Sequence, residues 1–380
     1  MRRGGGGRGA AASPLACLLA ALLLAGGGLA LLGRASAEEP IPAAAAALRA
    51  AQRMELAEAV LKKAILAEGI PIEEELDPNR TGLVGPEWSP LTTTLGSLEA
   101  KRSVLNPNFA ALMVRYFDEA GLEAGDAVAL GASGSFPGLA LAALCAAREL
   151  GLEATTIASF GSSMYGATRP ELTLPRMLRI LAAAGVLPDS LAAVSPGGDA
   201  DHGESALYDD ARAVIARLAA ESGVEFIDFD PPDLAASVAR RMEIYRERAG
   251  ARGAACFVNI GGASPNSGES PYTLAFPQGL VLDPPPIPGG AERGLVYEFA
   301  ARGIPVVNLL NVRLLAERAG LPYDPVPLPR AGEGGVYRRS RPSRPLAAAA
   351  LAASLAPLVA AGAARARRIR RERGERSAAR

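Results

Sequence analysis

Histidine, cysteine and nucleotide-binding signatures are scarce in this sequence, and each scarcity excludes a class of site. His202 is the only histidine among 380 residues, so a serine nucleophile that relied on histidine has no other base. The three cysteines, at 17, 145 and 256, lack the spacing of a zinc site or a disulfide framework. No Gly-Lys-Ser or Gly-Lys-Thr occurs, and the glycines at 131, 134 and 138 do not fit G-x-G-x-x-G, which argues against ATP and NAD. The sequence therefore indicates no particular cofactor.

The whole chain also lacks net charge, because it has 40 basic and 40 acidic residues. The two signs are nevertheless distributed unevenly along the sequence. Residues 1–37 carry four Arg and no acid, and residues 338–380 carry twelve Arg against two Glu. The remaining 300 residues therefore hold 24 basic and 38 acidic side chains. An acidic body of this kind repels nucleic acid at long range, so we exclude nucleic acid as a partner.

Both ends of the chain contain an apolar run of about the length that a membrane span needs. The first, 15–32, follows Arg2, Arg3 and Arg8 and precedes Ala35-Ser36-Ala37, a triplet that leaves signal cleavage open. We predict an uncleaved signal anchor there. The second run, 346–364, contains Pro357 and is mostly Ala, so a surface helix or a disordered tail is an alternative to a second span. If both runs span, the positive-inside rule places both termini in the cytoplasm and the body outside.

Between these ends, strands alternate with helices, which predicts an α/β fold with a mostly parallel, doubly wound (Rossmann-like) sheet. The clearest unit is a strand from Ala127, a Gly/Ser loop at 131–138, and a buried helix to Leu150. Farther along, the pattern predicts a helix from about Ser205 to Glu221 and strands at Val224–Phe229 and Ala254–Ile260. The predicted organisation is a signal anchor at 1–37, an amphipathic helical link at 38–76, an α/β domain at 77–335, and an Arg-rich tail at 336–380.

Small polar residues follow most of the predicted strands, and ligands of such sheets bind beyond the carboxyl ends of the strands. A helix that starts at Pro137 has free amides that attract anions, which predicts a small-anion site. Turn chemistry alone is the alternative explanation for these loops. The predicted ligand-binding residues are Gly131, Gly134, Ser135, Ser162, Ser163, Gly261, Gly262 and Asn308, with Lys101 and Arg102 as cations.

Two further chemistries fit short stretches of this sequence. The run 131–135 approaches the nucleophile elbow G-x-S-x-G, with Ser133 at the nucleophile position and His202 as the candidate base. The oxygen-bearing side chains of Asp199, Asp201 and Glu204 surround that histidine and could hold a hard cation such as magnesium or calcium. A lone histidine and acids in a glycine-rich turn are more often solvated surface residues, and that alternative stays open.

The chain resembles the poly-gamma-glutamate system proteins, a family of membrane-anchored bacterial proteins associated with making or exporting that polymer. The resemblance rests on DPNRTGLVG at 77–85, EWSPLTTTLGSLEAKR at 87–102, GASGSFPGLALA at 131–142 and GIPVVNLLNVRLLAERAGLPYDPVPLPRAGEG at 303–334. It implies a process and a location on the cytoplasmic membrane, with other membrane components of that system as partners. It implies no catalytic residues.

Three functions follow as expectations. The first is a membrane-anchored component of poly-gamma-glutamate synthesis or export that holds a small carboxylate or a polymer terminus at the strand exits. The second is a serine-dependent hydrolase or acyl transferase acting on the polymer, and the third is a non-catalytic scaffold of a membrane complex. Because the acidic body repels a polyanion, contact with the polymer is expected to be local, at helix N-termini and at Lys101 or Arg102.

Overall fold

The computed structural model describes residues 14–34, 37–205, 207–269, 271–287, 289–290, 293–341 and 344–378. The arginines at 2, 3 and 8 and the first two residues of the Ala35-Ser36-Ala37 triplet lie outside these ranges. The chain forms two compact units. One joins its two ends and the other runs from Ile41 to Tyr337.

In the residues that the structure describes, the unit built from the two ends contains two helices and one pair of strands. Helix α1 spans Pro14–Arg34, strand β1 spans Ala37–Pro40, strand β11 spans Arg338–Arg341 and helix α13 spans Arg344–Ala378. β1 and β11 are antiparallel, with Ala37 opposite Arg341. α1 packs on α13 so closely that a Cβ placed on Gly28 would lie 2.8 Å from the Ala350 Cβ. A glycine there permits the close approach of the two helices.

The predicted C-terminal apolar run is a helix throughout, including at Pro357. The stretch Pro345–Arg367 is long and apolar enough to cross a membrane, which is weak evidence for membrane association. The apolar part of α1, Leu15–Ala30, is shorter than the length that this criterion requires. The N-terminal span therefore stays a prediction.

The unit from Ile41 to Tyr337 is built on a seven-stranded sheet in the order β7-β6-β4-β3-β8-β10-β9. Every neighbouring pair in it is parallel except β10 with β9. The strands are β3 (Ala127–Ala132), β4 (Glu153–Ser159), β6 (Leu191–Ser195), β7 (Glu225–Phe226), β8 (Ala254–Ile260), β9 (Gly279–Val281) and β10 (Val306–Leu309). The mostly parallel sheet predicted from the sequence is confirmed. The strand order reverses between β3 and β8.

Helices cover both faces of the sheet. Most of the helical core lies on one face, where α2, α4, α5, α6, α7 and α12 pack, and α8 and α11 contribute to a second core on the other face. The helices of this unit are α2 (Ala44–Ala67), α3 (Leu98–Ser103), α4 (Asn108–Glu119), α5 (Pro137–Leu150), α6 (Leu174–Ala183), α7 (Ala211–Ser222), α8 (Leu234–Ala249), α9 (Ser264–Ser267), α10 (Tyr272–Ala275), α11 (Leu295–Ala300) and α12 (Val312–Ala319).

Helix α2 was expected to link the anchor to the body, and it packs inside the second unit instead. Its buried residues recur at helical spacing, with Ala47, Ala50, Met54, Ala57 and Leu61 fully buried against α4 and α5. An apolar stripe of this width requires a covered face. The compact unit therefore begins at Ile41 rather than at the predicted boundary of 77.

Helix α5, which follows the loop after β3, forms as the sequence predicts. Pro137 occupies its first position, where the missing N–H removes no helical hydrogen bond, and Gly151 ends it in the left-handed conformation with φ +69. Its alanines and leucines bury nearly the whole helix. Gly138 is required at the start because a Cβ there would lie 2.3 Å from the Val104 carbonyl oxygen. The helix start is therefore fixed against the segment that follows α3.

Two elements differ from their predicted bounds. The helix expected from Ser205 begins at Ala211, and the strand expected over 224–229 is reduced to Glu225–Phe226. β7 lies at one edge of the sheet, where it pairs with β6 on one side among the described residues, so little pairing fixes its ends. Two short elements, β2 (Thr92–Thr94) and β5 (Ser162–Ser163), were not predicted, and both lie at the candidate site together with α3.

Candidate functional site

The site lies where the first two strands of the central sheet end. The loop after β3 and the segment after β4 are joined by three hydrogen bonds. The Gly134 amide donates to the Gly161 carbonyl at 3.1 Å, the Ala167 amide donates to the Gly134 carbonyl at 2.8 Å, and the Ser163 amide donates to the Ser135 hydroxyl at 3.0 Å. A Cβ on Gly134 would lie 3.0 Å from the Phe160 carbonyl oxygen, so a small residue is required where the loops cross. Ser135 and Ser163, 28 residues apart in sequence, thereby become neighbours.

A third segment, β2 followed by α3, packs against these two loops. β2 pairs in parallel with β5, with Thr92 opposite Ser162 and Thr94 opposite Ser163. Helix α3 follows β2 after a short turn, and the Ser97 hydroxyl caps it by accepting from the Ala100 amide at 3.2 Å. The short parallel pair therefore fixes the distance from Ser163 to the start of α3, which carries Lys101.

The Lys101 side chain runs from α3 into the space between the two loops. Its Nζ lies 2.5 Å from the Ser163 hydroxyl oxygen and 2.6 Å from the Ser135 carbonyl oxygen. It also lies 3.8 Å from the centre of the Phe136 ring, within the range of a cation–π contact. Lys101 is 3% exposed and Ser163 is 8% exposed, whereas Ser135 is half-buried. The Lys101 amine is therefore shielded from solvent, whereas Ser135 is in part exposed to it.

The electrostatic setting of Lys101 is unusual for a buried cation. Within the described chain its Nζ contacts hydroxyl, carbonyl and ring atoms and no carboxylate. Burial without a compensating acid disfavours the charged form, and it lowers the pKa of Lys101 from 10.5 to about 7. A substantial fraction of the amine is therefore neutral near pH 7. A neutral amine has a lone pair that accepts a proton from an adjacent hydroxyl.

Ser133, predicted as a nucleophile, is buried and contacts Ser135. Its amide donates to the Ile260 carbonyl at 2.9 Å, and its hydroxyl accepts from the Ser135 amide at 3.3 Å. Gly261 packs directly on it, since a Cβ there would lie 2.1 Å from the Ser133 hydroxyl oxygen. The structure therefore brings Ser133, Ser135 and Gly261 together, with Ser133 holding the loop that presents Ser135.

The other predicted ligand residues line the same edge of the sheet with structural contacts. The Ser162 hydroxyl donates to the Ser163 carbonyl at 2.8 Å, and a Cβ on Gly131 would meet the Asn266 side chain at 2.4 Å. Asn308 accepts from Asn259 at 2.8 Å and donates to the Pro277 carbonyl at 3.0 Å. Gly262 is exposed at the rim. Arg102 points away from Lys101 and forms two hydrogen bonds with Asp324.

The structure places His202 in an ion-pair cluster. Arg212 donates to the His202 Nδ1 at 2.8 Å and to its carbonyl at 2.5 Å, and His202 Nε2 lies 3.5 Å from a Glu204 oxygen. Arg212 also contacts Asp228 at 3.2 Å. No hydrogen bond joins the His202 ring to Ser133 within the described residues. Because Arg212 can only donate, Nδ1 accepts, and the nitrogen that faces Glu204 carries the proton.

The three predicted metal ligands do not converge. Asp201 is buried, and its two oxygens already accept from the Ser195 hydroxyl, the Gly197 amide, the Ser237 hydroxyl and Arg241. Asp199 is exposed, and Glu204 reaches toward His202. Among the described residues, no group of three or more His, Cys, Asp or Glu side chains is arranged to hold a metal ion. The Asp201 carboxylate instead ties the loop after β6 to α8.

A groove of about 1030 Å³ lies elsewhere in this unit, between α8 and α11. Its lining includes Ala239, Met242 and Phe299, with Arg240 and Glu298 at its edges. No residue of the strand-exit loops contributes to it. The chemistry of the Lys101 site is therefore separate from this groove.

The sequence identified Lys101 and Ser163 individually but gave no reason to pair them across 62 residues. One signal was present. The chain contains three lysines, Lys62, Lys63 and Lys101, and 37 arginines. Arginine stays protonated in proteins, whereas burial lowers the pKa of lysine, so the rare lysines of an arginine-rich chain are candidates for a site that uses a neutral amine.

No protein-family model, no curated protein and no solved structure matches this chain.

Proposed function

We propose that this protein is a serine-dependent hydrolase or acyl transferase in which Ser163 is the nucleophile and Lys101 is its general base. The single observation that carries the proposal is the 2.5 Å contact between the Lys101 amine and the Ser163 hydroxyl, in a buried setting without a carboxylate partner. A nucleophile within hydrogen-bond reach of its base, with the base oriented by a further group, is the arrangement that such catalysis needs. Serine–lysine pairs are a known variant of it.

The proposed reaction follows from the atoms present. The neutral Lys101 amine takes the hydroxyl proton as the Ser163 oxygen attacks the carbonyl carbon of an amide or ester. The bond to the leaving group breaks, the leaving amine or alcohol takes the proton from Lys101, and an acyl-serine remains. Water, or an acceptor amine, then releases the acyl group by the same steps in reverse order. Helix α5 starts two residues after Ser135, so the positive end of its dipole lies next to the loop that carries Ser135.

The substrate class that the sequence resemblance suggests is the γ-glutamyl amide of poly-gamma-glutamate, with other membrane components of that system as partners. The candidate span in α13 and the arginines that follow it support a location at the cytoplasmic membrane. With α1 as a second span, the positive-inside rule places both termini in the cytoplasm and the Ile41–Tyr337 unit outside. Protease added to intact spheroplasts should then cleave that unit, and full protection would contradict this topology.

A fluorophosphonate probe tests the proposed chemistry. The full-length protein in detergent should form a covalent adduct that peptide mapping locates at Ser163, and Ser163→Ala should abolish it. Lys101→Met should slow adduct formation by about 10²-fold or more, the contribution of a general base. Ser222→Ala is the matched control, because Ser222 lies at the end of α7, where its hydroxyl donates to the Ala219 carbonyl at 2.6 Å. An adduct at Ser133, or equal labelling of the Lys101→Met variant, would overturn the assignment.

A second function is favoured by the same amine in its protonated form. A buried cation without an acid in contact attracts a carboxylate, so the site fits a module that holds a glutamate or a polymer terminus. Calorimetry with glutamate and oligoglutamate distinguishes the two functions. Binding that is lost in Lys101→Met, together with no fluorophosphonate adduct in the wild-type protein, would favour the binding module. Turnover of poly-gamma-glutamate that depends on Ser163 would favour the enzyme.

A further inference from the structure

Helix α3, which carries Lys101, is too short to hold its own position. It spans six residues, and an isolated helix of that length is unstable in water. Its stability must therefore come from contacts with the rest of the unit. One neighbouring segment, residues 321–328 after α12, contacts α3 at both the start and the end of that helix.

The strongest of these contacts involves the residue next to Lys101. Arg102 Nε donates to Asp324 Oδ1 at 2.6 Å, and Arg102 Nη2 donates to Asp324 Oδ2 at 2.5 Å. The two side chains are 15% and 21% exposed, so solvent screens the pair only in part. Two parallel bonds between a guanidinium and a carboxylate fix orientation as well as distance. This fork therefore restrains rotation of α3 about its axis.

The backbone of the same aspartate makes a second contact. The Asp324 amide donates to the Ser103 hydroxyl at 2.7 Å, and that hydroxyl donates to the Glu99 carbonyl one turn earlier in α3. Asp324 has φ +53, a conformation that residues other than glycine rarely adopt. Such a conformation persists where the surroundings hold it in place. Here both its amide and its carboxylate are engaged by the two residues that follow Lys101.

The start of α3 is touched by the residue before Asp324. The Tyr323 hydroxyl lies 3.4 Å from the Ser97 hydroxyl that caps the helix, and Arg313 lies 4.0 Å above the Tyr323 ring. Asn79 anchors the segment further along, by donating to the Pro325 carbonyl and accepting from the Leu328 amide. The segment is therefore itself fixed, and it can transmit that rigidity to α3.

We propose that Asp324 is a positioning residue for the Lys101–Ser163 pair: through Arg102 and Ser103 it holds α3 so that the Lys101 amine stays buried against the Ser163 hydroxyl. Lysine has four rotatable side-chain bonds, so its amine reaches one place reproducibly only if its Cα is fixed. A displacement of about 1 Å at a reacting group is enough to lower a rate by about 10²-fold. The catalytic meaning of this assignment rests on the proposed function, whereas the burial of Lys101 does not.

The test measures the amine itself. The full-length protein in detergent is treated with acetic anhydride at a series of pH values, and acetylation of each lysine is followed by mass spectrometry of its peptides. Lys62 and Lys63 on α2 are internal standards. In Asp324→Ala we expect the pH midpoint of Lys101 acetylation to move upward from about 7 by one unit or more, because water reaches the amine. One unit lowers the neutral fraction at neutral pH by up to about tenfold.

Fluorophosphonate labelling of Ser163 is the second readout, and it should slow by about tenfold or more in Asp324→Ala. Asp324→Glu, which keeps the carboxylate, should recover part of both effects. Asp189→Asn is the matched control, because Asp189 pairs with Arg179 at 2.5 Å on the surface and has no contact with α3. A merely structural loss of stability would lower the melting temperature without moving the Lys101 midpoint.

The outcomes are separable. An unchanged Lys101 midpoint and acetylation rate in Asp324→Ala would overturn the positioning assignment, whatever the labelling of Ser163. A shifted midpoint in a protein that never labels at Ser163 would support the positioning of Lys101 and count against the proposed function. If Asp324→Ala does not fold, Arg102→Lys makes the same comparison, because it keeps the charge but replaces the two-bond fork with a single donor group.

Discussion

Replacing Lys101 with methionine should change the pH dependence of stability in a direction that follows from burial alone. The unfolded chain holds the Lys101 proton up to about pH 10.5, whereas burial lowers the pKa in the folded protein to about 7. Between these values the unfolded state binds more protons than the folded state. The free energy of unfolding of the wild-type protein therefore rises with pH across this window.

The size of the effect follows from the two pKa values. Each unit of difference corresponds to about 1.4 kcal/mol, so the buried lysine destabilises the fold by up to about 5 kcal/mol below pH 7. That penalty disappears as the pH approaches 10.5. Methionine has a similar length and no charge, so it removes the penalty at every pH. It also leaves the Ser135 carbonyl without its donor, which costs about 1–3 kcal/mol independently of pH.

We therefore expect Lys101→Met to be more stable than the wild-type protein at pH 6 and less stable at pH 10. The difference between the two proteins should change by roughly 4 kcal/mol over that range. Other titrating groups are shared by both proteins and cancel in the comparison. Urea titrations followed by fluorescence of Trp88, the only tryptophan, measure the free energy of unfolding directly.

The control is Lys63→Met on the exposed face of α2, which measures the effect of the same substitution where the side chain is not buried. A constant difference for Lys101→Met between pH 6 and pH 10 would refute the reasoning, since it would mean that the folded protein does not release the proton early. Lys101→Arg should be the most damaging replacement, because a guanidinium keeps its charge in the buried space.

Three other substitutions test packing and electrostatics elsewhere in the Ile41–Tyr337 unit by thermal or urea unfolding. Asp201→Ala leaves Arg241 as a buried charge without its partner and should cost about 3–5 kcal/mol, and a loss below 1 kcal/mol would contradict the buried ion pair. Gly261→Ala, at φ +86 and with its Cβ 2.1 Å from the Ser133 hydroxyl, should cost about 2 kcal/mol or more, and Ser133→Ala in the same chain should recover part of it. Burial raises the pKa of Glu58 well above 4.5, so the folded protein loses stability relative to the unfolded chain as the pH rises past 4.5. Glu58→Gln removes this loss, so the variant should melt at a higher temperature than wild type at pH 8 but not at pH 4.

The sequence predicted the sheet because its signals are local. The apolar run at 127–130 and Pro137 specify a strand and a helix start without help from distant residues, and the strand extends two residues farther in the structure, to Ala132. The same holds for β8, whose predicted bounds of Ala254–Ile260 agree with the structure. The edge strand β7 was overestimated, because the length of an edge strand depends on a neighbour that the sequence does not show.

The candidate site was predicted in part for the same reason. Parallel strands end at the same edge of a sheet, so the sequence predicts that Ser133, Ser135 and Ser163 lie near one another. It does not predict which of these serines contacts a base. His202 was the natural base for a serine by composition, yet its ring nitrogen accepts from Arg212, a residue on the first turn of α7.

The sequence by itself determined the alternation of strands and helices, the apolar runs at the two ends, and the identity of the few residues able to do acid–base chemistry. Only the tertiary structure decided which of them meet. It sets Lys101 of α3 against Ser163 after β4 through the parallel pair β2–β5, and it buries the amine away from any carboxylate in the described chain. The physical reason is that periodicity and turn chemistry act over a few residues, whereas the burial that lowers the pKa of Lys101 depends on segments that are distant in the chain.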